Sequence, residues 1–427
     1  MTENGFYNDF DCEELEPRPP DYRSVFQRGH DRLVHNAAFR RLQAKTQVFL
    51  SGEYDFYRTR LTHSIEVGQI AGSIVRRLNS TSKQLNRDFH IDEALVEACA
   101  LAHDIGHPPF GHAGESTLHK LMLPWGGFEG NAQTLRLITE IIFTSGHSRR
   151  GLNPSRAFID GVLKYKTLFS QWDNPVNHFI FDDQAPFLDF VFDGTQIPAE
   201  LSPGKPLNAF RSLECQIMDW ADDTAYSLND LVDSANAGFL NVELIRRWAG
   251  NLDISPEREK NIEELVQALG EGNLERMMNR KIGSFVEAVS LVERSNFMSE
   301  KTNRYRFGIV VDPEVQAEQM LYATLARNLV FRSPQICQLE YKGGYMLQRL
   351  FQALTENYLG RNCRHQGQPE LALLSGDFER EMDQTGDDDP RRARIICDYL
   401  AGMTDGFANR IYKRMFDPDF GSIVDLI

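Results

Sequence analysis

The stretch LAHDIGHPPFGHAGES, residues 101–116, places three histidines and two carboxylates at the end of an apolar helical segment. That segment begins after Asp92, a good N-cap residue, and it ends at Gly106 and Pro108, which break helices. Ionisable side chains on a helix apolar enough to be buried cost free energy unless they are paired or bind a cation. The stretch therefore predicts a functional site at the end of a buried helix.

The adjacent pair His103-Asp104 is the most informative feature of this stretch. Neighbouring helical residues differ in direction by about 100°, so an imidazole and a carboxylate can flank one cation. Two further apolar helices carry the natural additional ligands, His63 upstream and Asp222 downstream. Each part alone has an ordinary explanation, since His-Asp dipeptides are common, a lone histidine is usually satisfied, and paired aspartates are usually solvated. Together they predict a divalent metal site with open positions, which is typical of catalysis.

Composition limits the class of protein. The chain has 427 residues, enough for two or three domains or one large domain with insertions. Its net charge of −15 disfavours broad nucleic-acid binding without excluding it. The six cysteines form no C-x-x-C pair, so neither a disulfide framework nor a thiolate zinc site is predicted, and a reducing cytoplasm is expected. No run approaches the roughly 18 apolar residues of a membrane span, and the acidic N-terminus is unlike a secretory signal.

Helical periodicity dominates the chain and predicts an all-α fold. The expected helices are 31–44, 59–78, one from Asp92 to Ala102, 131–143, 213–232, and a single closing helix with Ile395, Ile396, Tyr399, Met403, Phe407, Ile411 and Met415 on its core side. Three segments are expected to differ: a small β-hairpin within 46–57, a loop-rich insertion over 170–208, and a polar break over 376–389 in which Asp389 caps the next helix.

The order histidine, His-Asp, aspartate is the signature of the HD superfamily of metal-dependent phosphohydrolases. Longer strings resemble its deoxynucleoside triphosphate (dNTP) triphosphohydrolase branch, the bacterial dGTPase-like proteins. These strings are FRRLQAKTQVF (39–49), RTRLTHSIEVGQIA (58–71), LAHDIGHPPFGHAGE (101–115), FEGNAQTLR (128–136), GLNPSRAFIDGVLKY (151–165), DWADDTAYSLNDL (219–231) and CDYLAGMTDGFA (397–408). The resemblance spans about residues 30–415.

The resemblance implies an architecture in three parts. Residues 1–25 would be an N-terminal arm, expected to be irregular, and residues 26–240 would be the HD helical bundle, with an insertion at about 145–210. Residues 241–427 would be a helical C-terminal region that completes the substrate pocket and forms an oligomer interface.

The resemblance also implies roles for individual residues. The metal ligands would be His63, His103, Asp104 and Asp222, and the catalytic pair would be His112 oriented by Glu115. The substrate contacts would be Gln43, Arg60, His107, Asn153, Lys164, Tyr165, Tyr226 and Asp230. Asp222, Tyr226 and Asp230 share one helix face at i, i+4 and i+8. The tyrosine would pack against the deoxyribose and disfavour a 2′-hydroxyl, and Asp230 would lie near the 3′-hydroxyl.

The reaction implied is hydrolysis of a dNTP to deoxynucleoside and inorganic triphosphate with a divalent ion. Two alternatives stay open: another HD phosphohydrolase, such as a 5′-nucleotidase or phosphodiesterase, and a nucleotide-sensing or single-stranded-DNA-binding protein with low turnover. The resemblance implies a homo-oligomer, a tetramer or hexamer, with activation by an allosteric dNTP. One departure concerns the phosphates, because Asn177 and His178 stand where many relatives supply a lysine. His119 and His147 are expected to be surface residues.

Overall fold

The computed structural model describes residues 4–48, 58–145, 148–173, 175–251, 255–360 and 371–421. Within these residues helices dominate, and the predicted all-α fold is confirmed. The α-helices are α1 (Asp9–Cys12), α2 (Val25–Val34), α3 (Ala37–Arg41), α4 (Arg60–Thr81), α5 (Glu93–Ala102), α6 (Gly111–Met122), α7 (Gly130–Arg136), α8 (Arg156–Val162), α9 (Ala185–Phe192), α10 (Lys205–Ala209), α11 (Leu213–Asn236), α12 (Val242–Ala249), α13 (Pro256–Gly270), α14 (Leu274–Glu287), α15 (Asn303–Arg306), α16 (Pro313–Leu329), α17 (Pro334–Tyr358), α18 (Gly376–Thr385), α19 (Asp389–Ala401) and α20 (Asp405–Phe416).

Two short antiparallel hairpins accompany the helices. The first joins β1 (Phe143–Ser145) to β2 (Ser148–Arg150), and the second joins β3 (Val289–Glu293) to β4 (Phe307–Val311). Neither was predicted, although the second is rich in the β-branched residues that favour strands. Most of the hairpin expected at 46–57 lies outside the described residues; within them, Thr46 forms an isolated antiparallel bridge with Thr59.

Three helices with well-defined starts hold the centre of the fold. Thr59 caps α4, Asp92 caps α5 by accepting the Leu95 N–H as predicted, and Ser212 caps α11. These helices pack against one another and bury their apolar stripes in one hydrophobic core. Because the three helices contact each other along that core, side chains at their facing positions can meet.

A second hydrophobic core lies on the other side of α6. It packs Leu118 and Met122 of α6 against Leu347 and Leu350 of α17, and it extends to α19 and α20. The C-terminal helices therefore flank the segment that follows the His-Asp pair. No helix among the described residues is long and apolar enough to cross a bilayer. The three-part division of the chain stays a prediction.

Several boundaries differ from the sequence-based expectations. The single closing helix is two helices, because α19 ends at Gly402 and Thr404 caps α20. The cap of α19 is Asp388 rather than Asp389. The polar break contains α18, and the helix expected at 31–44 begins earlier and is interrupted at Asn36, whose side chain caps a new helix.

Three further expectations need correction. The helix predicted at 131–143 is the α-helix α7, followed by a π-helical turn to Ile141. The insertion predicted as loops contains α9. His119 is buried rather than on the surface: its Nδ1 lies 3.1 Å from the Phe128 carbonyl oxygen, and its ring packs near Phe179. His147 lies outside the described residues.

A buried charge cluster fixes the N-terminal residues to the core. Arg304 lies 2.5 Å from Asp160, 3.1 Å from Glu214 and 3.5 Å from Asp11, and all four side chains are almost fully buried. Lys166 adds a second cation 3.1 Å from Asp160. Since Asp11 belongs to α1, the segment expected to be an irregular arm contains a helix and takes part in the core.

Candidate active site

The four predicted metal ligands converge on one point. His63 lies on α4, Asp222 lies on α11, and His103 with Asp104 follows the last turn of α5. His63 Nε2 is 3.2 Å from Asp222 Oδ1, and His103 Nε2 is 3.5 Å from Asp104 Oδ1 and 3.6 Å from Asp222 Oδ1. Ligand atoms of His63, His103 and Asp104 all lie within 4.8 Å of one another, so they can hold one metal ion.

The hydrogen bonding of His103 tests whether a cation fits there. His103 Nδ1 lies 2.6 Å from the Ala100 carbonyl oxygen, which can only accept, so the ring hydrogen is on Nδ1. His103 Nε2 faces two carboxylates, and this buried atom has no hydrogen-bond partner. When this nitrogen is unprotonated its lone pair faces two anions, and a bound cation would turn that repulsion into coordination. The donor set suits several divalent ions.

The two carboxylates of this cluster are held in the ionised form. Burial raises the pKa of Asp104, but Arg60, His107 and His103 outweigh it and bring that pKa well below its usual range. Arg60 donates a hydrogen bond of 2.6 Å to Asp104. Burial likewise raises the pKa of Asp222, but Lys164 and His103 outweigh burial and lower that pKa below its usual range. An ionised carboxylate is the form that binds a metal ion.

His112 lies beside this cluster in the first turn of α6. Its Nδ1 is 3.3 Å from Glu115 Oε2, and its side chain is 76% exposed, whereas the metal-ligand histidines are buried. Glu115 Oε1 accepts the Gly130 N–H at 2.7 Å. Burial raises the pKa of Glu115, but the hydrogen bond from His112 and the nearby His107 bring it down to about 2. Glu115 is thus an ionised acceptor that orients the His112 ring.

Gly130 packs closely against two residues of the site. A Cβ atom there would lie 3.0 Å from Glu115 Oε1 and 3.2 Å from the His107 ring. His107 Nδ1 is in turn 2.9 Å from Asp104 Oδ1. The backbone of the FEGN segment therefore closes one side of the site, and a side chain at position 130 would press on Glu115 and His107.

A cavity of about 360 Å³ joins these groups, a size typical of small-molecule sites. Predicted site residues in its wall are Arg60, His63, His103, Asp104, His107, His112, Glu115, Lys164, Tyr165, Asp222 and Tyr226. Basic groups gather at one end, where Lys164 Nζ is 3.1 Å from Asp222 Oδ2 and 2.8 Å from Asp219 Oδ1. There the His178 ring stacks on Tyr165 with centroids 4.4 Å apart.

The other end of the cavity is apolar. Tyr226 lies there with its ring centroid 6.0 Å from that of Phe331, and Ile336 and Leu339 of α17 complete the wall. Asp230, one turn further along α11, is behind the wall and almost fully buried. Its Oδ2 atom has no hydrogen-bond partner, and burial raises its pKa to about 7.

Two predicted substrate contacts lie away from the cavity. Gln43 is exposed on the short 3₁₀ turn after α3 and is not in the cavity wall. The Asn153 side chain bonds the backbone N–H and carbonyl oxygen of Glu16, so it fastens the N-terminal segment.

Gln47 is in the cavity wall, and its buried Oε1 atom has no hydrogen-bond partner. The resemblance named Gln43 and did not name Gln47, which enters the wall because the chain becomes extended at Lys45. Two further polar residues of the wall, Glu129 and Asn131, belong to the motif FEGNAQTLR but were given no role. Their place in that motif was the available signal.

Comparison with known proteins agrees with this site. A model of the HD domain matches residues 60–146, and a model of the phosphohydrolase-associated domain matches residues 309–414. A deoxyguanosinetriphosphate triphosphohydrolase-like protein 2 of Deinococcus radiodurans is 34% identical over 95% of both chains. A protein of the same name from Shewanella loihica is 34% identical over 96% of both chains. Another from Shewanella sediminis is 34% identical over 100% of this chain and 99% of its own.

The chain belongs to the deoxyguanosinetriphosphate triphosphohydrolase-like family of HD-domain proteins. The family resemblance inferred from the motifs is thereby confirmed, and the general class is phosphohydrolase. The HD domain match contains His63, His103 and Asp104, whose ligand atoms come together, and the phosphohydrolase-associated match contributes α17 to the cavity wall.

Proposed function

We propose that this protein hydrolyses dNTPs to deoxynucleoside and inorganic triphosphate, with a divalent ion held by His63, His103, Asp104 and Asp222. The observation that carries the proposal is the position of His103 Nε2, a buried ring nitrogen that has no hydrogen-bond partner and faces two carboxylates. Beside it lies the exposed His112, which is oriented by Glu115. The printed names of the relatives, which call them dGTP triphosphohydrolase-like, support the reaction class.

The divalent ion would supply charge neutralisation on the phosphate and would acidify a bound water. In the reaction, water oxygen forms a bond to the α-phosphorus and the bond from phosphorus to the 5′-oxygen breaks. His112 carries the proton that the leaving 5′-oxygen takes up, and Glu115 holds the ring through Nδ1 so that Nε2 is available to the substrate. Of the two protons of the attacking water, one restores the proton on His112 and the other is lost to solvent as the triphosphate departs.

The basic end of the cavity would bind the phosphates. Arg60 contacts Asp104 and Lys164 contacts Asp222, and both cations help to keep these carboxylates ionised. The same two cations would also attract the negatively charged phosphates. His107, Tyr165 and His178 line the same end. In this protein the His178 imidazole, which can titrate, would face the triphosphate where many relatives supply a lysine.

The apolar end would bind the nucleoside. Tyr226 would lie under the deoxyribose and exclude a 2′-hydroxyl, and the base would contact Phe331 and Ile336. Gln47 offers a buried acceptor to a sugar or base N–H or O–H. Asp230 lies one turn beyond Tyr226 but behind the cavity wall, so its role near the 3′-hydroxyl stays a prediction of the resemblance. A tetramer or hexamer, activation by a dNTP, binding of single-stranded DNA, the native ion and a cytoplasmic location also stay predictions.

Product analysis tests the proposal. Each of the four dNTPs is incubated with the protein and Mn²⁺, alone and as a mixture, and the products are read by phosphorus NMR. Tripolyphosphate with deoxynucleoside, absent with His103→Ala, is the expected result. Pyrophosphate with a nucleoside monophosphate, or turnover of a nucleoside monophosphate or a phosphodiester instead, would move the protein to another HD phosphohydrolase reaction. Binding of dNTPs without turnover would indicate a sensor.

A further inference from the structure

A single buried carboxylate links the two walls of the active-site cavity. Asp405, the first residue of α20, is 5% exposed. Its Oδ2 accepts the Thr46 N–H at 2.8 Å and also the Thr46 hydroxyl. Its Oδ1 accepts the Phe110 N–H at 2.9 Å. Thr46 precedes Gln47 in one wall, and Phe110 precedes the turn that carries His112 in the other.

The Phe110 turn is in a conformation that needs such support. Phe110 has φ of +66°, a left-handed backbone that is strained for a residue with a side chain. Gly343 of α17 packs directly on the Phe110 ring, where a Cβ atom would lie 2.5 Å from the ring. The C-terminal helices thus hold this residue from two sides, through the Asp405 carboxylate and through α17.

A second buried side chain, Lys45, precedes Thr46 and also links this region to the C-terminal helices. The buried Lys45 ammonium donates to the His107 carbonyl oxygen and, at 3.0 Å, to the Ala401 carbonyl oxygen at the end of α19. His107 and His112 are therefore both anchored through their backbone surroundings to the break between α19 and α20. Asp405 and Lys45 bond to Thr46, Phe110, His107 and Ala401, and none of these four is a predicted metal ligand.

We infer that Asp405 is a positioning residue that fixes the separation between the Thr46–Gln47 wall and the Phe110–His112 turn, and thereby aligns His112 with the substrate. The phosphohydrolase-associated region, which contains Asp405, then aligns His112 in addition to forming part of the cavity wall. This inference rests on the proposed function for its effect on turnover, but the bracing itself is independent of any substrate. Misplacement of a reacting group by about 1 Å can cost about 100-fold in rate.

The test compares Asp405→Asn with Asp398→Asn. An asparagine at 405 offers one acceptor oxygen in place of two, so either the Thr46 N–H or the Phe110 N–H loses its acceptor. Asp398 on α19 is an equally buried carboxylate that accepts from Gln133 and Arg136, away from both walls. Both variants are expected to lose stability, which makes Asp398→Asn the control for a purely structural effect.

Two measurements are made on each variant, at a temperature below its melting temperature. Hydrogen exchange measured by mass spectrometry is expected to accelerate in peptides covering 45–48 and 108–113 in Asp405→Asn but not in Asp398→Asn. The kcat of Asp405→Asn is expected to fall about 10- to 100-fold, with KM and the Mn²⁺ affinity nearly unchanged. Unchanged exchange in both peptides, or equal kcat losses in the two variants, would overturn the inference. If the parent protein has no turnover, the proposed function fails, and the exchange result alone decides the bracing.

Discussion

His112 Nδ1 lies 3.3 Å from Glu115 Oε2, and the second oxygen of that carboxylate is fixed by the Gly130 N–H. The imidazole is thus oriented by an acceptor that is itself held by backbone. We expect His112→Gln to lower kcat by about 10²- to 10⁴-fold, the usual contribution of a proton-transfer group. Glu115→Gln should cost less, and the double variant should cost no more than His112→Gln alone, because the two residues act as a unit. Steady-state kinetics decides this, and additive losses would show that they act separately.

The metal cluster predicts a loss of bound ion when one ligand is removed. We expect His103→Ala to bind Mn²⁺ more weakly by at least about 10-fold and to lack turnover, since its Nε2 atom faces both carboxylates. His119→Asn is the matched control, because His119 is also buried but bonds the Phe128 backbone. Metal content after dialysis and calorimetric titration measure the effect. Equal metal content in the parent and His103→Ala would remove His103 from the ligand set.

Selection against ribonucleotides is expected to depend on Tyr226. Replacing Tyr226 by Ala opens the cavity beside Phe331 and should lower the preference for a dNTP over the matching ribonucleotide by about 10-fold or more in kcat/KM. Tyr322→Phe is the control, because that buried hydroxyl bonds Glu318 away from the cavity. Competition between the two nucleotides measures the ratio, and an unchanged ratio in Tyr226→Ala would place sugar selection elsewhere.

The buried charge cluster predicts a large stability difference between two arginines. Arg304→Met leaves Asp11, Asp160 and Glu214 buried with Lys166 as the remaining cation in the cluster, and should cost about 3–5 kcal/mol in the free energy of unfolding. Arg306→Met removes an exposed pair with Glu293 and a contact with the Phe307 ring, and should cost less than about 1 kcal/mol. Urea denaturation compares the two. A small effect at Arg304 would mean that the carboxylates become protonated at little cost.

Glu129 predicts a pH dependence of stability. Burial, and then the neighbouring Glu115, raises the Glu129 pKa to about 8 in the folded state, against 4.5 for the ordinary carboxyl group. The folded protein therefore holds a proton that the unfolded chain has lost between these values, so Glu129's contribution to stability falls as pH rises through about 8. Glu129→Gln should remove this loss, and its stability relative to the parent should improve by at least about 1.4 kcal/mol, one pKa unit, between pH 6 and pH 9. Denaturation at both pH values measures it; a constant difference would show that Glu129 stays ionised.

Local patterns in the sequence predicted much of the fold and the centre of the site. Helix caps such as Asp92 and the i, i+4, i+8 spacing on α11 are short-range features, and the structure brings His63, His103, Asp104 and Asp222 together as expected. Periodicity did not reveal the break at Gly402, because apolar spacing continues across it into α20.

Local sequence patterns could not predict contacts between residues that lie far apart in the chain. Gln43 was named from the family resemblance, and the extended backbone at Lys45 that brings Gln47 into the cavity wall was not part of that prediction. The bonds between Asn153 and Glu16 join residues 137 positions apart, which no local spacing reveals. The buried state of His119 likewise depends on aromatic neighbours that come later in the chain.

The bond between Asp405 and Thr46 joins residues 359 positions apart. A ribosome making this protein completes α4, α5 and α11 long before it reaches Asp405, so the nascent chain already holds both histidines and both aspartates of the metal cluster. The turn before His112 then still lacks its acceptor. The hydrogen bond that braces this turn can therefore form only after Asp405 has been synthesised, well after the four predicted metal ligands.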